Sequence, residues 1–317
     1  MPTSKQLMVA LEAGRADALF AEIYGTEPER LLRQKNRYAH VIGQFSRLFP
    51  ERQEMELFST PGRTEVGGNH TDHNAGRVLA AAVDLDVVSA AAPNGTSVIR
   101  LQSEGYPMIE LDTAILAPVE AEWYTSAALI RGVAARMKEL GFAIGGFDAY
   151  MASDVLRGSG LSSSAAFEVQ IATILNCLFN EGRLGDILNA QVSQYAENHY
   201  FNKPCGLMDM TTCAVGGLVT IDFKDFEHPV VEKVDFDFAG SGFTMVIVDT
   251  GGSHADLSDD YTALEHEMKE VARAFGGQVL REFSVEKVLD NIAFLRGKAS
   301  DRAILRARRH NPGVCQE

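Results

Sequence analysis

The stretch Arg157-Gly158-Ser159-Gly160-Leu161-Ser162-Ser163-Ser164-Ala165-Ala166 constrains this chain more than any other. Its glycines permit a tight turn that brings backbone N–H groups close to an anion. Phe147–Met151 in front of it alternates like a strand, and Phe167, Ile171, Ile174, Leu175 and Leu178 behind it recur at helical spacing. The turn therefore opens onto a helix, whose N-terminal dipole adds positive potential. The three consecutive serines, Ser162–Ser164, supply hydroxyls that can reach a phosphate oxygen or a Mg²⁺ ion. The segment is not a Walker loop, because the Gly-Lys-Ser ending is absent, nor a dinucleotide Gly-x-Gly-x-x-Gly. Taken alone it also reads as a flexible turn with a serine N-cap.

The rest of the chain predicts a mixed architecture. Residues 6–50 read as helical, with Leu7, Leu11, Leu19 and Phe20 on one side. Strands are predicted at Val78–Val88, Val98–Leu101 and Met108–Leu111, with Asn94-Gly95 as a hairpin signal. Helices follow over about 121–140, ending at Gly141, and over 184–198, with strands at Leu218–Phe223 and Phe243–Asp249 and late helices near 261–275 and 285–296. Hairpins mixed with strand–turn–helix units argue for a two-layer α+β arrangement rather than an alternating parallel α/β sheet. The acidic stretch 224–238 is the expected seam, giving an N-terminal helical segment (1–50), a main lobe (51–225) and the start of a second lobe (226–317).

A formal charge of −14, from 43 acids against 29 bases, speaks against nonspecific nucleic-acid or anionic-membrane binding. No apolar run approaches the roughly 18–20 residues of a membrane helix, and the N-terminus has no apolar signal region. Four cysteines without paired metal spacing suggest a reduced, cytoplasmic setting.

Two further segments carry chemistry. Pro61–Gly76 is rich in Gly, Asn, Asp and His and precedes an apolar strand. It reads as a loop where a polyhydroxylated ligand finds donors and acceptors, or as a solvated loop. His70 and His73 invite a metal reading, which the lack of further His or Cys ligands argues against. Glu197 precedes Asp209 in Cys205-Gly206-Leu207-Met208-Asp209-Met210. A carboxylate set among Leu207, Met208 and Met210 is paired, caps a helix, or is catalytic.

A Pro-Gly-Arg loop with His-Thr-Asp, a Gly-Leu-Ser-Ser-Ser-Ala-Ala turn and an Ala-Glu-Asn…Cys-Gly-x-Met-Asp segment, in this order, resemble the GHMP kinases, and among them the galactokinase family. The resemblance runs over about 55–275. It implies a two-lobed fold and an enzyme that moves the γ-phosphate of ATP, with Mg²⁺, onto the anomeric hydroxyl of galactose. By the same resemblance Asp209 is the general base and Arg63 the cation that steadies the transferring phosphoryl group. Gly158, Ser159, Gly160, Leu161, Ser162, Ser163 and Ser164 match the ATP phosphate loop, and Ser164 and Glu197 the metal ligands. Asn69, His70, Thr71, Asp72, Gly206 and Tyr261 match sugar-binding positions. An alternative role for Asp209 is only to orient the hydroxyl. Alternatives to the whole are a kinase for another monosaccharide and a non-catalytic sugar sensor, against which the intact serine turn argues.

The chain departs from the family pattern in places. Asn69 stands where a glutamate meets a sugar hydroxyl, His73 replaces a tyrosine, Glu65 an asparagine and Met210 a glutamine. The glycine-rich motif that such kinases carry near the C-terminus has no counterpart, so a truncated second lobe is expected.

Overall fold

The computed structural model describes residues 1–156, 158–238, 240–248 and 258–309, the side chains of 258–262 excepted. The helices are α1 (Ser4–Glu12), α2 (Asp17–Tyr24), α3 (Pro28–Leu48), α4 (Ser126–Glu139), α5 (Ser163–Asn180), α6 (Asp186–His199), α7 (Met208–Val215), α8 (Ser258–Ala274), α9 (Val285–Asp290), α10 (Ile292–Leu295) and α11 (Asp301–Arg309). The strands are β1 (Glu56–Gly67), β2 (Arg77–Pro93), β3 (Val98–Ser103), β4 (Ile109–Asp112), β5 (Phe147–Ser153), β6 (Leu218–Asp222) and β7 (Val230–Lys233). Two compact units interleave along the chain: Met1–Gly62, Asp84–Leu156 and Ser164–Lys203 form the first, and Arg63–Val83, Arg157–Ser163 and the residues from Pro204 onward the second.

In the first unit the expected helical start is three helices, not one. A capping box between Thr3 and Gln6 opens α1, Gly25 (φ 93°) ends α2, and Pro28 begins α3 where its missing N–H costs nothing. Phe20, Tyr38, Ile42, Phe45 and Phe49 pack against Val88, Ala90 and Ala92 of β2 and Tyr150 and Ala152 of β5. Successive strand residues face opposite ways, so Ser89 lies on the other face. There Gln170 of α5 donates to its hydroxyl (2.7 Å). Helices thus cover both faces of the strands, one layer more than expected.

Asn94-Gly95 turns the chain but makes no hairpin. β5 lies between β2 and β3, antiparallel to the former (Ala90 opposite Tyr150) and parallel to the latter (Arg100 opposite Asp148). The Asn94 side chain ties this turn to β5, where its Nδ2 donates to Asp148 Oδ1 (2.9 Å). The fourth helix starts later than the sequence predicts, at a Thr125 N-cap, and leaves Trp123 outside it. Gly141, at φ 83°, ends it as expected. α4 and α6 cross closely at Gly132, where a Cβ would sit 2.7 Å from that of Ala196.

In the second unit the first half of β2 pairs antiparallel with β6 (Arg77 opposite Asp222), and β6 with β7. β7 falls inside the stretch read as a seam. The late helices α8, α9, α10 and α11 share a core of Met268, Val271, Leu280, Val288, Leu295 and Ile304. The 3₁₀ turn Leu280–Glu282 between α8 and α9 clamps the 71–74 turn: Leu280 N–H donates to Asn74 Oδ1 (3.3 Å) and Arg281 Nη1 to the Ala75 carbonyl (2.7 Å). The strand expected at Phe243–Asp249 does not form over 243–248, where the side chains are exposed; Asp249 lies outside the described residues. None of the described helices is long and apolar enough to cross a membrane.

Candidate active site

Arg63 is fixed by β1, whose backbone there donates to the Leu161 carbonyl (3.1 Å). Much of the segment read as a loop is therefore strand, and a single 3₁₀ turn, Thr71–Asn74, follows it. Arg63 is 8% exposed. Its Nε and Nη2 donate to the two carboxylate oxygens of Asp209, each at 2.7 Å, in the fork geometry that suits guanidinium and carboxylate. Its Nη1 donates to the Gly160 carbonyl (2.8 Å). Asp209 lies in the first turn of α7, where the helix dipole favours a negative charge.

Ser162 Oγ donates to Asp209 Oδ2 (2.5 Å). Ser162 adopts the left-handed region (φ 58°) between Gly160 (φ 77°) and the start of α5, and this turns its hydroxyl back toward α7. The serine turn and the carboxylate segment, far apart in sequence, are joined in one hydrogen-bonded set.

His70 adds a second cation. Its Nδ1 is 2.9 Å from Asp72 Oδ1 and its Nε2 3.4 Å from Asp209 Oδ1. Burial alone would lower its pKa, but hydrogen bonds to Asp209 and Asp72 outweigh that and raise it to about 11. Burial alone would raise the Asp209 carboxyl; the Arg63 charge, then His70, holds it well below the usual carboxylate range. Asp72 follows the same pattern, with burial opposed by His70 and His73. At neutral pH the set is two cations and two carboxylates.

The Cys205–Asp209 segment needs its glycine. A Cβ on Gly206 would fall 1.7 Å from Asp72 Oδ2, and the Met208 N–H donates to that same oxygen (3.2 Å). Glu65 accepts from the His70 N–H (2.7 Å), which shapes the turn. Thr71 is buried and donates to the Gly68 carbonyl (2.9 Å), while Asn69 is exposed in left-handed backbone (φ 57°). The side chain of Tyr261 lies outside the described residues.

In the first unit, Ser164 Oγ donates to Glu197 Oε1 (3.0 Å). Glu197 is 2% exposed and also accepts from Lys203 Nζ (2.7 Å). Sequence reasoning paired Ser164 with Glu197 but missed Lys203, because the two lie at no helical spacing. It also placed Ser162 among phosphate ligands without its bond to Asp209.

Residues 43–93 match the galactokinase galactose-binding signature and residues 128–217 the GHMP kinases N terminal domain. Over these two spans the chain is similar to GHMP kinases. Among its relatives are galactokinases: one from Streptomyces coelicolor is 31% identical over 275 residues, and one from Bacillus subtilis 26% over 235. These alignments cover 85% and 71% of this chain but 63% and 57% of the relatives, so the chain spans about three fifths of their length. The fold matches that of Lactococcus lactis galactokinase, solved with galactose, at a TM-score of 0.72 and 23% identity, over 88% of this chain and 73% of that one. The mixed α+β fold class expected from the sequence is therefore the one observed, apart from the extra helical layer.

Proposed function

We propose that this chain transfers the γ-phosphate of ATP to the anomeric hydroxyl of galactose, giving galactose 1-phosphate and ADP. One observation carries the reading. Arg63 holds Asp209 through both oxygens and the Gly160 carbonyl of the glycine–serine turn, so the carboxylate, the cation and the phosphate turn form one bonded set. Asp209 accepts the sugar proton, Arg63 neutralises charge on the transferring group, and the 158–164 turn with the start of α5 cradles the phosphates. His70, Asp72 and Asn69 meet the sugar, and Gly206 leaves room for Asp72.

Ser164 and Glu197 offer oxygen donors 3.0 Å apart, one of them a buried carboxylate. Such a donor set fits Mg²⁺, which keeps several waters and takes further ligands from phosphates. When bound, Mg²⁺ neutralises charge on the phosphate oxygens. In this reading residues 51–225 form the lobe that carries the chemistry, after a helical segment 1–50 and before the start of a second lobe, 226–317. Its partners are the two small substrates, and its setting is the cytoplasm; among the described residues no disulfide joins Cys177, Cys205 or Cys213.

A coupled ADP-release assay over a monosaccharide panel tests the proposal, with galactose expected to give the highest kcat/KM. A different preferred sugar would replace the substrate and keep the chemistry. Galactose binding without ADP release would make the chain a sensor.

A further inference from the structure

The Ser164–Glu197 pair has a third member, Lys203, that phosphoryl transfer as proposed does not use. Residues six apart on a continuing helix lie about 240° apart round its axis and do not meet. Here the helix stops. The Tyr200 and Phe201 N–H groups both donate to the Ala196 carbonyl (3.0 Å each), and Asn202 takes the left-handed region (φ 64°). The Lys203 N–H then donates to the Glu197 carbonyl (3.1 Å). The chain folds back over the last turn of α6 and sets the Lys203 side chain beside Glu197.

Glu197 is 2% exposed, and a carboxylate buried so fully is costly without a counter-charge. Lys203 supplies it from the solvent side, on a flexible stem that is 43% exposed. The decisive detail is which oxygen it takes. Ser164 Oγ and Lys203 Nζ both donate to Oε1, at 3.0 and 2.7 Å. A divalent ion held jointly by the Ser164 hydroxyl and Glu197 would draw on the carboxylate oxygen that faces that hydroxyl, which is Oε1. The ammonium and the ion would then compete for one acceptor.

We propose that Lys203 is an internal cation that holds Glu197 in the metal's place, is displaced when a divalent ion binds with ATP, and so sets the ion concentration at which the site fills. It is a positioning residue, acting through Glu197. The inference rests on the reading of Ser164 and Glu197 as Mg²⁺ ligands.

The test uses the full chain with a non-hydrolysable ATP analogue and Mn²⁺, whose binding is read from loss of the free-ion EPR signal. Lys203→Met is expected to bind Mn²⁺ about 10-fold more tightly than the wild type, the scale of one hydrogen bond to a charged group. Lys203→Arg, which keeps the charge, is expected to bind as the wild type does, and Glu197→Gln more weakly. Without divalent ion, Lys203→Met is expected to melt below the wild type, and saturating Mn²⁺ to close the gap. Lys203→Gln gives the same comparison if Met is not tolerated. Equal or weaker Mn²⁺ binding by folded Lys203→Met, with Glu197→Gln impaired, overturns the proposal and leaves the metal reading standing. Unimpaired binding by Glu197→Gln removes the metal reading, and the role of Lys203 with it.

Discussion

Replacing Asp209 by Asn separates the two roles open to this carboxylate. The amide keeps Oδ1 as an acceptor but loses the charge and puts an NH₂ where Oδ2 stood. Oδ2 accepts from Arg63 Nη2 and from Ser162 Oγ, so the variant leaves the guanidinium one acceptor short and faces the serine hydroxyl with a donor. Breaking a fully buried ion pair costs about 3–5 kcal/mol. Here the Arg63 and Asp209 side chains are 10% and 24% exposed and one acceptor survives, so about 2 kcal/mol is the reasonable scale. For a chain of this size that lowers Tm by about 3 °C, short of unfolding it. The kinetic effect is larger. Losing the proton acceptor lowers turnover about 10²-fold or more, with binding of a non-hydrolysable ATP analogue near normal. Thermal melts and coupled ADP release read the two effects independently. A folded Asp209→Asn variant within about 10-fold of wild-type turnover would refute proton abstraction, because Asn still orients a hydroxyl.

Gly206→Ala places a methyl 1.7 Å from Asp72 Oδ2; it is expected to destabilise by about 1–3 kcal/mol and to raise the galactose KM while leaving the ATP KM unchanged. Asn69→Glu is expected to change the ranking of galactose against its epimers and deoxy analogues by about 10–100-fold, and an unchanged ranking over the panel would take Asn69 away from the sugar. His70 has its folded pKa raised to about 11 against an ordinary value of about 6.5. Its contribution to stability is therefore fully present below pH 6.5 and lost as pH climbs toward 11. The wild-type Tm should fall relative to His70→Gln across that window, and parallel curves would remove the coupling.

Local pattern carried far in this chain and stopped where partners lie distant in sequence. The apolar period of Phe167–Leu178 and the capping glycine at 141 each reported a real element, because helix periodicity and left-handed caps are local properties. The Asn94-Gly95 hairpin failed for the opposite reason: an Asn-Gly pair fixes a turn, while the strand alongside β2 is the sequence-distant β5, paired from Val87 to Pro93. The exposed run at 243–248 has strand composition and no partner over its described residues. At the site, the pairing of Ser164 with Glu197 was legible through the family pattern and is met by a 3.0 Å hydrogen bond. Lys203 was not, since only the reversal at Asn202 brings it round. Neither was the Ser162–Asp209 bond, which depends on a left-handed serine that composition does not announce.

A carboxylate held so far below its usual range looks ill suited to accept a proton, because general-base efficiency rises with basicity. The proposed reaction resolves the conflict through its own timing. In a loose phosphoryl transfer the new bond to the sugar oxygen forms late, and the hydroxyl becomes strongly acidic only as it forms. Until then a strong base has little to remove, and what the site needs is an acceptor that is already ionised and aimed. The Arg63 and His70 charges guarantee the first, and the two guanidinium bonds at 2.7 Å with Ser162 at 2.5 Å secure the second. Arg63 also links the carboxylate to the incoming charge. The negative charge of the transferring group adds a field that opposes that of Arg63 at Asp209, so the carboxylate grows more basic as the group arrives. The low resting pKa is then a property of the unloaded site and not of the reacting one.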